Sequence, residues 1–303
     1  MRLHGIWAGG IALFLATPSA AQPADDLQAA DERVQTIGWR LSHANAQQCP
    51  RGAPGIGILL GDMQTFNDPA AARAAYGLSG DIAVAAVAAD SPAAAAGLAA
   101  NMVITAVAGE AIGPPPPRGS WDRVWALQAR LEQTAAQTGE VALTLAGGRV
   151  ITVKAAPSCA VRFILDDAKG NAGATRAQVR IGRKTLARLS QDDALVAALV
   201  AHELAHAALD HETVLGPGKR TVEAVRRTER EADRLSVWIL AKAGYDPAAA
   251  PQMIRLISPH GLFVVAAPTH GKASTRAQVM TAEIAAMNAA PDRDWALRFR
   301  REP

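Results

Sequence analysis

The chain is 303 residues long, half of them hydrophobic, with a formal net charge of +3. Its basic residues are scattered and it has two tyrosines and five phenylalanines, which excludes the basic surface interleaved with stacking rings that a nucleic-acid platform needs. The length accommodates two modest domains, each able to bury a core, and the pattern of elements predicts an α+β chain.

At the N-terminus Arg2 precedes an apolar run from Ile6 to Ala16, and Ser19-Ala20-Ala21 is a small-x-small cleavage site. This reads as a secretory signal peptide over residues 1–21. The run falls short of the roughly 20 apolar residues of a membrane span and no second run follows, so no stable transmembrane span is expected. The mature chain is placed in the periplasm or outside the cell. No cysteine follows the apolar run, which argues against a lipid anchor. The chain's two cysteines, Cys49 and Cys159, suggest one disulfide in an exported protein. Between them and the signal, Leu27–Gln48 has Val34, Ile37, Leu41 and Ala44 on one side, predicting a helix within residues 22–50 that packs on the C-terminal domain.

Residues 51–157 read as a separate β-rich module. Tyr76-Gly77-Leu78-Ser79-Gly80 leads into an apolar strand, Ile82–Val87. Asp90-Ser91-Pro92 opens a short alanine-rich helix ending at Gly97, and a strand and turn follow over Asn101–Glu110. The prolines Pro114–Pro117 form an extended loop before a helix predicted over Ser120–Ala136, with Trp121, Val124, Leu127 and Leu131 as its apolar stripe. Val141–Leu145 and Val150–Val153 flank Ala146-Gly147-Gly148-Arg149, a hairpin signal. Residues 76–110 resemble a bacterial PDZ domain, although Ala100-Asn101 stands where that pattern has Gly-Asp. The resemblance implies a module that binds extended peptides or C-termini by strand addition, with Gly77, Leu78, Ser79 and Gly80 as the carboxylate-binding loop. A purely structural insert is the competing reading.

Residues 158–303 carry the chemistry. A strand is expected at Gln178–Gly182. Ser190-Gln191-Asp192-Asp193 then makes a capping-box start for a helix through His202-Glu203-Leu204-Ala205-His206. Residues four apart share a helix face, so His202 and His206 can grip one zinc ion while Glu203 stands beside them as a general base. Charged and imidazole groups in so apolar a helix are costly unless they bind something. A second helix, patterned by Val222, Val225, Leu235, Trp238 and Ile239 and ending at Gly244, carries Glu229-Arg230-Glu231-Ala232-Asp233. Glu229 is assigned as the third ligand. Asp233, one turn along, is placed to accept the spare N–H of a ligand histidine, and Glu231 points elsewhere. His211 is a weaker candidate, because the metzincin pattern would need Gly at Leu209 and His at Glu212. It is expected instead at a helix C-terminus, favoured by the dipole.

His202–His206, followed by Glu229-Arg230-Glu231-Ala232-Asp233 and then Ala243-Gly244-Tyr245-Asp246-Pro247, resembles the HtpX, BepA and CAAX prenyl-protease family of zinc metallopeptidases. The resemblance spans roughly Cys159–Ala289. It implies a mainly helical zincin-type domain with a small sheet, one zinc per chain on His202, His206 and Glu229, and Glu203 as base. Absence of further apolar spans puts the chain nearest the soluble periplasmic branch. Pro268-Thr269-His270-Gly271 with Arg276 resembles a later family motif, with Gly271 in place of the usual proline. His270 or Arg276 could then donate to the oxyanion, or His270 could close the open metal position and hold the enzyme latent. A plain solvated loop histidine is equally open. Asn171-Ala172 corresponds to the family's strand beside the cleft.

Three functions follow from these readings. The first is a zinc endopeptidase acting on polypeptides in envelope quality control, with the module recruiting substrate. The others are a latent, chaperone-like peptide binder and a zinc hydrolase of another bond.

Overall fold

A computed structural model describes residues 22–166, 170–189, 192–258, 271–290, 292 and 294–302. The expected signal peptide and His270 lie outside them. Helix α1 (Gln22–Ala44) buries Val34, Ile37 and Leu41, as its apolar spacing requires. This face packs on the C-terminal half, and the helix also touches the inserted module.

The module hangs from a two-stranded stalk. Strand β1 (Gly52–Gly55) pairs antiparallel with β8 (Ala156–Cys159), placing Gly52 opposite Cys159. The expected disulfide joins Cys49 to Cys159 at the base of that stalk. Within the insert, β2 (Ile58–Asp62) pairs with β3 (Ile82–Val87), and between them lies α2 (Pro69–Ala75), capped by Asp68. After β3 come α3 (Pro92–Ala95), β4 (Ile104–Val107), β5 (Glu110–Ala111), α4 (Asp122–Thr138), β6 (Glu140–Leu145) and β7 (Val150–Lys154). The last four strands form one sheet, ordered β5-β4-β6-β7. Ile58, Leu60, Val84, Leu127, Leu131 and Leu143 lie in the insert's own core. Asn101 takes a left-handed φ of 66°, a conformation that asparagine tolerates better than most residues.

One expectation for α4 fails. Trp121 is 50 % exposed and stacks on Trp125 of the helix's first turn, while the buried stripe takes in the polar Gln128. Trp121 is the N-cap residue, so it precedes the first helical turn and does not share its buried face.

In the C-terminal half, β9 (Arg162–Asp166), β10 (Gly173–Ala174) and β11 (Gln178–Gly182) form a sheet ordered β10-β11-β9, with β11 parallel to β9. Asn171 and Ala172 immediately precede β10, the edge strand, which lies against the helix bearing the histidines. The helices are α5 (Arg183–Arg188), α6 (Asp193–Ala208), α7 (His211–Val214), α8 (Val222–Lys242), α9 (Ala249–Ile257), α10 (Ala273–Ala289) and α11 (Trp295–Arg298). Asp192 caps α6, accepting from the N–H groups of Ala194 and Leu195. Nearly all of α6 is buried, as expected of a helix apolar on every side. Its closest packing partner is α8, and that contact builds the site. Among the described residues no helix is long and apolar enough to cross a membrane.

Candidate metal centre

One turn of α6 separates His202 from His206, and their Nε2 atoms face each other at 3.2 Å. From α8, Glu229 places Oε2 3.6 Å from His202 Nε2 and Oε1 3.5 Å from His206 Nε2. Donors at zinc-like bond lengths of about 2.0–2.1 Å, arranged tetrahedrally, are separated by roughly 3.3–3.4 Å. The three groups are therefore spaced as ligands around one small cation. Among the described residues they are the one group of His, Cys, Asp or Glu with that convergence. Two imidazoles and a carboxylate suit zinc and leave a fourth position open.

Each histidine is held from behind. His202 Nδ1 is buried and lies 3.1 Å from Asp233 Oδ1. The approach is off the line of a good hydrogen bond, and among the described residues no other acceptor reaches this nitrogen, so Asp233 is the carboxylate that faces it. Asp233 is fully buried and receives Arg276 through two N–H bonds, Nε to Oδ2 and Nη2 to Oδ1, both 2.7 Å. Behind His206, the Nδ1 atoms of His206 and His211 are 2.8 Å apart, and His211 Nε2 is 3.0 Å from Glu231 Oε2.

The electrostatics interleave charges of both signs at this point. Burial disfavours a charged His202, but Asp233 and Glu229 outweigh it and push the imidazole up to about 10. At His206, burial and then the charge of His202 prevail and lower it to about 3. Burial also opposes charge on Glu229, yet His202, His206 and Arg276 hold its carboxyl well below the usual range. Glu203 is buried on the same helix, and chiefly for that reason its carboxyl is raised to about 7. A carboxylate so balanced can take up a proton and release it again.

The expected residues His202, Glu203, His206, Glu229, Asp233 and Arg276 thus come together. Arg276 Nε and Nη2 are engaged by Asp233, with Nη2 a further 3.3 Å from Glu229 Oε2, so this side chain braces two carboxylates of the site. His211 departs from expectation. Helix α6 ends before it, Asp210 turns the chain with a left-handed φ of 52°, and His211 opens α7 with only 2 % of its surface exposed. The His211–Glu231 pair escaped the sequence reading. Its available signal was a histidine close after the motif together with a second acid on α8.

The loop Gly77-Leu78-Ser79-Gly80 belongs to the insert and leads into β3. That strand is bonded to β2 on one side and, through Val84, to Asn101 and Met102 on the other. Among the described residues β2 has a partner strand on one side only. Gln128 of α4 accepts from Leu60 N–H at 3.0 Å and donates to the Ile58 carbonyl at 3.4 Å. A cavity of about 130 Å³, lined in part by Trp39, Gly55, Ile58, Gln128 and Arg162, lies between this edge and the C-terminal half. No family model, curated protein or solved structure matches the chain.

Proposed function

We propose that the chain is a zinc metalloendopeptidase that hydrolyses peptide bonds of polypeptides in the periplasm or outside the cell, in protein quality control of the envelope. The observation that carries this reading is the convergence of His202, His206 and Glu229 at ligand spacing, with Glu203 buried beside them. His202, His206 and Glu229 would hold the zinc ion, which when bound would polarise a carbonyl and lower the pKa of water toward neutrality. The carboxylate of Glu203 takes the proton from the attacking water and returns it to the leaving amine nitrogen. Asp233 and Arg276 keep His202 oriented throughout. The disulfide and the signal-like N-terminus support export.

The β-rich insert, read as PDZ-like, recruits the polypeptide. The β2 edge is where a strand can be added, and Gln128 now occupies its N–H and C=O groups as an incoming backbone would. Substrate entry there requires that side chain to swing away.

The test is zinc stoichiometry and cleavage of an unfolded protein by residues 22–303 and by the same chain with Glu203→Gln. Both are expected to bind one zinc per chain, with cleavage by the variant slower by about 10²–10⁴-fold. Equal cleavage would remove Glu203 as base, and absence of zinc binding would remove the metal centre.

A further inference from the structure

We propose that the C-terminal tail, residues 299–302, is a working part of the metal centre, fixing the ring and tautomer of His206 through Glu231 and His211. The inference rests on the metal reading above and adds residues to it that the motifs do not include.

Arg301 approaches Glu231 Oε2 through Nε at 3.2 Å and Nη2 at 3.1 Å. Its Nη1 donates at 3.1 Å to the carbonyl of Leu209, the C-cap of α6. The next residue adds a backbone bond, Glu302 N–H to Glu231 Oε1 at 2.9 Å. Arg230 then holds the Glu302 carboxylate, Nε and Nη2 lying 2.9 and 2.8 Å from Oε2. The tail therefore grips both the acid behind His211 and the end of the helix carrying the ligands. Phe299, buried beneath Arg234, anchors it to the core.

The direction of the protons follows from the end of this chain. An ionised carboxylate only accepts, so His211 Nε2 is the donor to Glu231. A neutral His211 then offers the lone pair of Nδ1, and His206 Nδ1 must donate to it. That leaves the lone pair of His206 Nε2 facing His202 and Glu229, the state a metal ligand requires. If Glu231 were merely a staple for the tail, its burial, 1 % exposed, would not need to continue through His211 onto the far nitrogen of a ligand. The ligand histidines thus have separate braces, one ending on the buried Arg276 and the other on Arg301, which stands partly in solvent.

The experiment measures zinc dissociation constants for residues 22–303 by competition with a chromogenic chelator, together with ¹⁵N NMR of the imidazoles in the metal-free protein. Glu231→Gln is expected to weaken zinc binding by about 10–100-fold and to shift His206 away from the Nδ1–H tautomer. Arg301→Ala, at an exposed position, is expected to weaken it roughly two- to fivefold, with Arg301→Lys recovering part of the loss. Melting curves accompany each measurement. Variants that melt earlier yet bind zinc as tightly as the parent, with the His206 tautomer unchanged, would reduce the tail to a staple and overturn the proposal. Failure of the parent chain itself to bind zinc would remove the metal reading, and this inference with it.

Discussion

Arg276→Met is the most informative single change, because it breaks the buried ion pair behind the candidate ligand His202. Asp233 is fully buried and its carboxylate is met by two guanidinium bonds of 2.7 Å. Methionine keeps much of the length and apolar contact of arginine but removes both bonds, leaving a buried carboxylate facing only the side of His202. Breaking a buried pair in this way costs about 3–5 kcal/mol, a large share of the roughly 5–15 kcal/mol by which a domain is stable. Replacing both partners with apolar residues is usually close to neutral. The double variant Asp233→Leu/Arg276→Met is therefore expected to return to within about 1–2 kcal/mol of the parent in urea unfolding of the metal-free protein. It should nonetheless bind zinc about 10–100-fold more weakly, because His202 Nδ1 has lost its acceptor. A single variant costing less than about 1 kcal/mol would refute the assignment of a desolvated, mutually dependent pair. Zinc affinity unchanged in the double variant would refute the orienting role of Asp233.

Three further outcomes follow from the packing and charges. A Cβ on Gly38 would lie 2.2 Å from Phe163 Cγ, so Gly38→Ala should lower the melting temperature despite alanine's helix preference of about 1 kcal/mol. Gly38→Ala/Phe163→Leu should recover part of that loss, and a rise in melting temperature for the single variant would contradict the close approach of α1 to β9. Cys49→Ser opens a link across 110 residues, worth at most about 4–5 kcal/mol in the loop-entropy view; the denaturation midpoint should fall while zinc stoichiometry stays at one, and coincident midpoints would count against the disulfide as a stabiliser. In the insert, partial burial opposes charge on Asp81, but Gln64, Arg73 and Arg123 outweigh it and lower its pKa. Its contribution, about 1–2 kcal/mol, is then full above the unfolded value near 3.9 and is lost as pH falls through the lower folded one. Asp81→Asn should accordingly destabilise at pH 7 and differ less from the parent below about pH 4, and a gap that widens in acid would reverse the sign of this argument.

The parts of the chain that the sequence made legible are those set by local repetition. Helices α6 and α8 announce themselves through apolar spacing, and Asp192 and Gly244 mark ends that capping chemistry favours. His202 with His206, and Glu229 with Asp233, are each four residues apart, so their shared faces follow from the helix alone. The surroundings of β3 were harder to place. A loop rich in glycine before an apolar strand looks like an open edge, but the segment closing β3, Asn101–Val103, comes about one element later and pairs through an isolated bridge. Local patterning carries no signal for such a partner.

The two braces of the candidate metal centre show where the same limit falls within one site. Asp233 is legible because it lies on the helix that supplies Glu229, and any geometry that brings Glu229 to zinc brings Asp233 with it. The brace on His206 depends on a turn that periodicity does not require, the left-handed Asp210, which stops α6 and swings His211 back against the ring. Its next links, Arg301 and the Glu302 amide, are 70 and 71 residues from Glu231. Helical spacing correctly separated Glu231 from the ligand face, and the separation proved informative, because a buried acid excluded from one partner requires another. The general reading is that an acid on the off-face of a ligand helix, if buried, should be traced to the metal's other supports before it is assigned to solvent.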